Sequence, residues 1–135
     1  MILSWRDLLR ALEYRGDGQY GVDPISGRVT FFDVHALDSD DPQELLEEEA
    51  CLMVEPLPDE VVADWVRAFA EERDLPELAR AALARNPARA LRDLLAGRRE
   101  LLEEWRARYR RHLEEAAERW VEAVGLDPEN RPPWR

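Results

Sequence analysis

Lysine is absent from this 135-residue sequence, so all 19 basic side chains are arginine. Asn and Gln occur only twice each. That repertoire fits GC-rich codon usage and a heat-adapted source. Cysteine occurs once, as Cys51, which excludes an internal disulfide framework. Cys51 opens the apolar run Cys51-Leu52-Met53-Val54 and reads as a small buried hydrophobe. No apolar run approaches the ~20 residues of a membrane span. The opening Met1-Ile2-Leu3-Ser4-Trp5-Arg6-Asp7 has no basic region followed by a long apolar stretch, so it does not read as a secretory signal. A cytoplasmic location is the expectation.

Recognisable catalytic patterns are also missing. There is no glycine-rich phosphate loop, nucleophile elbow or HExxH. His35 and His112 are the only histidines, too few to suggest zinc. Ser4 and Ser26 are taken by a helix cap and a turn. No cofactor is implied, and catalytic and metal-binding residues are expected to be none.

What the sequence does have is charge, sorted along the chain. Twelve acids and no Arg lie between Val29 and Val66. Ten Arg and four acids lie between Arg80 and Arg111. The net charge of −11 disfavours bulk attraction to nucleic acid or anionic lipid. An acidic half beside a basic half pairs internally or keeps a polar surface for a partner.

The periodicities predict an α+β fold. Ser4, with Asp7 three residues on, opens a short helix bearing Trp5, Leu8, Leu9 and Leu12, and Gly16-Asp17-Gly18 stops it. Gln19–Val22 and Arg28–Val34 read as strands joined by the turn Asp23-Pro24-Ile25-Ser26-Gly27. Cys51–Glu55 reads as a third strand. Beyond Pro58 the chain turns helical. Asp59 is the expected cap of a helix carrying Val61, Val62, Trp65, Val66 and Phe69 on one face. Pro76 opens a short helix with Leu78, Ala82 and Leu83 apolar. Asn86-Pro87 starts another, interrupted at Gly97. The last helix runs from about Arg98 to Val124, roughly 40 Å. Its apolar stripe is Leu102, Trp105, Tyr109, Leu113, Ala116, Trp120 and Val124, closed by Gly125 and Leu126. The expected architecture is therefore one α+β domain over residues 1–126. It holds a small three-stranded antiparallel sheet, a short N-terminal helix and a C-terminal helical layer ending in one long helix. An irregular Pro-rich tail follows at 127–135, with Trp134 placed to dock.

Several of these segments resemble one bacterial family. They are the hairpin Tyr20-Gly21-Val22-Asp23…Ser26-Gly27-Arg28-Val29, the acidic stretch, Leu57-Pro58 before the helix of Trp65 and Phe69, Arg89-Ala90-Leu91-Arg92-Asp93-Leu94-Leu95, and Trp105 to Trp120. Together the chain is similar to the uncharacterised protein family numbered 158 in the UPF series. That family has no assigned activity, so the resemblance implies an order of elements and no chemistry.

Three candidate functions follow. The first is a non-enzymatic protein-interaction or regulatory module, with self-association through the long helix as one form. The second is a nucleic-acid or nucleotide-phosphate binder. It would use Arg98, Arg99, Arg106 and Arg110 within the segment 98–111, beside Trp105 and Tyr109. The competing explanation for those arginines is a solvated helix laced by pairs such as Glu104 with Arg108 and Glu115 with Arg119. The third is a metal-dependent hydrolase using Asp38, Asp40 and Asp41. The loop Asp38-Ser39-Asp40-Asp41-Pro42-Gln43-Glu44 lacks the Gly and the twelfth-position Glu that a calcium loop needs.

Overall fold

The computed structural model describes residues 1–32 and 51–132. His35, the Asp38-Asp40-Asp41 candidate and Trp134 lie outside the described residues. The architecture is α+β, as expected. In order it has α1 (Trp5–Glu13), β1 (Gln19–Val22), β2 (Val29–Phe32), β3 (Leu52–Val54), α2 (Asp59–Glu72), a 3₁₀-helix (Pro76–Leu83), α3 (Pro87–Leu94) and α4 (Arg99–Val124). The chain divides into two compact units. One is Met1–Pro56 with Leu113–Arg135, and the other is Leu57–His112.

The first unit is built around the sheet. On α1, Trp5, Leu8, Leu9, Ala11 and Leu12 are buried, the stripe that a 3.6-residue period produces. Ser4 does not cap through its side chain; its hydroxyl instead donates to the Asp7 carboxylate at 2.8 Å. Strands β1 and β2 pair antiparallel, from Gln19 opposite Phe32 to Val22 opposite Val29. Strand β3 pairs antiparallel on the other side of β1, so the order is β2-β1-β3. The first strand in sequence is thus the central one. Val22 and Val54 are fully buried.

The hairpin turn is built by Asp23. Its carboxylate accepts from the Ile25 amide at 2.9 Å. The Gly27 amide donates to the Asp23 carbonyl at 2.8 Å. Gly27 sits at φ 79°, and a Cβ there would lie 2.4 Å from the Ile2 carbonyl oxygen. Both facts demand glycine.

The tail has no regular helix or strand over its described residues, 127–132, and it is pinned at Asn130. The Asn130 side-chain oxygen accepts from the Leu3 amide at 2.9 Å, and its nitrogen donates to the Leu3 carbonyl at 2.7 Å. The Trp5 indole donates to the Asn130 carbonyl at 2.8 Å. One asparagine here imitates a strand partner for a single residue. The second half of α4 adds Leu113, Ala116, Ala117 and Val121 to the buried set of this unit. Ala117 and Val121 were not on the expected stripe, whereas Trp120 and Val124 are only half-buried. α4 ends as expected at Gly125, φ 77°. The Leu126 amide reaches back to the Val121 carbonyl at 3.0 Å and that of Gly125 to Glu122 at 3.2 Å, a Schellman end.

The second unit is wholly helical. Pro58, not Asp59, occupies the cap position of α2, and Asp59 stands in the first turn. There its charge still favours the helix N-terminus. α2 ends in the same hydrogen-bond pattern as α4, with Asp74 in the glycine position at φ 54°. The Leu75 amide donates to the Ala70 carbonyl at 2.9 Å and that of Asp74 to Glu71 at 3.1 Å. The core gathers Val66, Phe69, Ala70, Leu78, Ala81, Leu91, Leu95 and Trp105. The Phe69 and Trp105 rings lie 5.5 Å apart, and Trp65 stacks on His112 at 4.6 Å.

One apolar expectation fails in this unit. Leu83 was grouped with Leu78 and Ala82, but it is 86% exposed. The segment Pro76–Leu83 winds as a 3₁₀-helix. Three residues per turn place Leu83 on the face of Arg80, away from Leu78 and Ala81.

Candidate functional site

The arginines of α4 divide by partner. Arg98 lies 4.0 Å from Glu77. Arg99 bonds Glu103 one turn along at 3.4 Å. Arg110 also has partners. Arg106 has no ion pair among the described residues. Arg99, Arg106 and Arg110 follow i, i+7, i+11 spacing and are exposed, so they share a face. Arg98 is turned toward the 3₁₀-helix. The Trp105 ring, proposed for base stacking, is 2% exposed, and Tyr109 is half-buried.

Arg108 serves the core. Its guanidinium makes two hydrogen bonds to the Glu72 carboxylate on α2. Its Cζ stands 5.6 Å over the Phe69 ring. The hydrogen bond from Arg108 holds the Glu72 carboxyl below its usual 4.5. The same bond, with the charge of Glu104 adding, raises Arg108. Arg73 of the α2 end pairs with Glu104. Glu104 and Arg108, expected to pair along their own helix, thus both reach across to α2. A guanidinium that bonds a carboxylate through two parallel N–H groups is held in direction as well as distance.

Another set of arginines is left over. Arg80 on the 3₁₀-helix, Arg85 just before α3, and Arg89 and Arg92 on α3 are all exposed. None of these four has an ion pair among the described residues. Arg89 and Arg92 lie i, i+3 on α3, on one face. The Asn86 side chain accepts from the Arg89 amide at 3.3 Å and so fixes where that helix starts. The 3₁₀-helix and α3 pack on each other. Leu83, the most exposed large hydrophobic side chain of this unit, lies between Arg80 and Arg85 in sequence. The signal was present: residues 78–92 hold these four Arg and no Asp or Glu. Of the segments 80–92 and 98–111, only the second has aromatic residues beside arginine, Trp105 and Tyr109, which is why that segment and not 80–92 carries the sequence signature of a binder.

A cleft of about 330 Å³ opens where α2 meets the 3₁₀-helix, lined by Arg67, Ala70, Glu71, Asp74, Pro76 and Ala79. Arg67 at its wall is bonded to Asp64. Among the described residues, no group of three or more His, Cys, Asp or Glu side chains is placed to hold a metal ion. Among the same residues, no helix is long and apolar enough to cross a membrane. The helical unit carries twelve Arg and eleven acids, whereas the rest of the chain carries seven Arg and nineteen acids. No protein-family model, curated protein or solved structure matches the chain.

Proposed function

We propose that the chain is a non-enzymatic protein-interaction or regulatory module of the cytoplasm. It would present arginines of its helical unit to a partner. One observation carries this reading. In a unit where Arg73, Arg98, Arg99 and Arg108 are each matched to a carboxylate, the four arginines of residues 80–92 are exposed and unmatched among the described residues. Charge on a surface with no internal use is charge available for recognition. The kinship with the family numbered 158 in the UPF series is kept as a proposal; it supplies no chemistry.

A nucleic-acid or nucleotide-phosphate binder is the second reading, resting on the shared face of Arg99, Arg106 and Arg110. The burial of Trp105 removes one ring it would stack on, and the net charge of −11 opposes it.

Affinity capture of the full chain from its source cells at about 0.15 M salt, with mass spectrometry and light scattering, tests the choice. The expected result is one protein, or a second copy of the chain, held in fixed ratio. Retention of nuclease-sensitive material alone, or of nothing with a monomeric mass, overturns the module reading.

A further inference from the structure

We infer that Leu83 and the unmatched arginines Arg80, Arg85, Arg89 and Arg92 form a docking surface for an acidic protein segment that inserts one apolar side chain. This rests on the interaction-module reading above and names the partner chemistry.

The argument starts from the backbone. The 3₁₀ winding of Pro76–Leu83 eclipses residues three apart, so Glu77, Arg80 and Leu83 share one face. Glu77 is occupied by Arg98 at 4.0 Å. That leaves a cation and an aliphatic side chain, 86% exposed, side by side. Arg85 follows two residues on. Beyond it α3 shows solvent Arg89 and Arg92, while Leu91 is buried beneath. The surface we assign therefore joins an exposed branched aliphatic group to exposed arginines on two elements that pack on each other.

Charge complementarity selects the occupant. Four exposed cations, against Asp93 as the one acid of α3 and a Glu77 that faces Arg98, favour a polyanion. A lone exposed Leu gains from an apolar contact that phosphate cannot give. Nucleic acid would also bring its phosphates toward a chain of net charge −11, whereas a short acidic segment brings fewer charges and its own apolar anchor. Arginine suits carboxylates because its planar fork donates to two oxygens at once, and arginine is enriched where protein interfaces bind most tightly.

The test is fluorescence anisotropy with the full chain. The probe is a fluorescein-labelled twelve-residue peptide in which glutamates flank one leucine. A second probe replaces that leucine by serine, and a third is oligothymidylate of the same length. The leucine peptide should bind the chain more tightly than the serine peptide, and binding should weaken as salt rises. Leu83→Ser should bring the leucine peptide down to the serine level while leaving the serine peptide unchanged. Arg85→Glu with Arg89→Glu should weaken both peptides about tenfold or more. Arg119→Glu, a charge change in the other unit, should have little effect. Circular dichroism checks that the variants fold, and Arg85→Ala with Arg89→Ala replaces the reversal if it does not. No peptide binding, equal binding of the two peptides, binding indifferent to these variants, or displacement by oligothymidylate would each overturn the inference. If the variants still capture an undiminished protein partner from cells, the module reading stands and this surface falls. If neither partner nor peptide binds, both fall.

Discussion

The two units of this chain hold themselves together by different means. The helical unit, with twelve Arg against eleven acids, uses charge to set helices in register. Arg73 meets Glu104, Arg108 meets Glu72, and Arg98 meets Glu77, each between separate elements. The sheet-bearing unit, with seven Arg against nineteen acids, has few cations to spend this way. Its long-range ties are mostly neutral hydrogen bonds, with Asn130 clasping Leu3 and the Trp5 indole closing on Asn130, beside ion pairs of the Met1 ammonium with Glu129 at 3.5 Å and of Arg131 with Glu118 at 3.7 Å. The lesson is that composition decides which fastening is available. A balanced unit can pair several carboxylates across helices, whereas an acidic one has fewer such pairs and adds amide hydrogen bonds and turn geometry. The helical unit has more guanidiniums than its pairs consume, and that surplus is what makes a partner surface plausible on physical grounds.

The largest expected effect asks whether ion pairs or packing hold the helical unit. Phe69 is fully buried and touches both Trp105 and the Arg108 guanidinium. Phe69→Ala should cost about 3–5 kcal/mol by urea denaturation. A cost below about 1 kcal/mol, in the range of a surface ion pair, would mean that the charges do more than the core and would break the contrast.

The next effect sharpens it at the two helix ends. α4 stops on Gly125 at φ 77° and α2 stops on Asp74 at φ 54°, with the same pair of hydrogen bonds. No atom lies within 4 Å of a Cβ built on Gly125, so Gly125→Ala tests backbone strain alone and should cost about 1 kcal/mol. Asp74→Gly relieves similar strain but loosens the unfolded chain. It should leave the protein about 0.5 kcal/mol more stable. Thermal unfolding of both variants checks the opposite signs; two changes of the same sign would refute the shared mechanism.

The smallest effect compares one carboxylate from each unit. The amide of Ile25 holds Asp23 below its usual 3.8, as Arg108 holds Glu72 below 4.5. A carboxyl lowered in the folded state stabilises above its ordinary pKa and loses that contribution as pH falls through the lowered value. Asp23→Asn keeps an oxygen for the turn but removes the charge, and Glu72→Gln removes the ion pair. Each variant should be slightly less stable than the parent at pH 7. The gap should start to close near pH 4.5 for Glu72 and near 3.8 for Asp23. Urea midpoints across pH measure it, and a gap constant down to pH 2 would contradict the assignment.

Much of the fold was legible because its signals are local. Ser26-Gly27 marked the hairpin, Asn86-Pro87 the start of α3, and Gly125-Leu126 the end of α4. The errors have more than one source. Asp59 lost the cap to Pro58. Ala117 and Val121 replaced Trp120 and Val124 as the more deeply buried residues, because the second half of α4 belongs to another unit than the first. Cys51 is half-buried rather than enclosed. Leu83 was counted as core although it lies i+5 from Leu78, a spacing that shares no face in an α-helix or a 3₁₀-helix.

The candidate site shows the same limit. Ten Arg between Arg80 and Arg111 could be counted directly, but which of them are neutralised could not, because Glu72 and Arg108 are 36 residues apart.

The sequence by itself determined the kinds of element, their order, most turn positions and the sorting of charge, since periodicity, caps and composition act over a few residues. Only the tertiary structure decided that the first strand would be central, which arginines would meet carboxylates and which would face solvent. Those outcomes depend on distances between residues far apart in the chain, and such distances exist only once the apolar faces have packed.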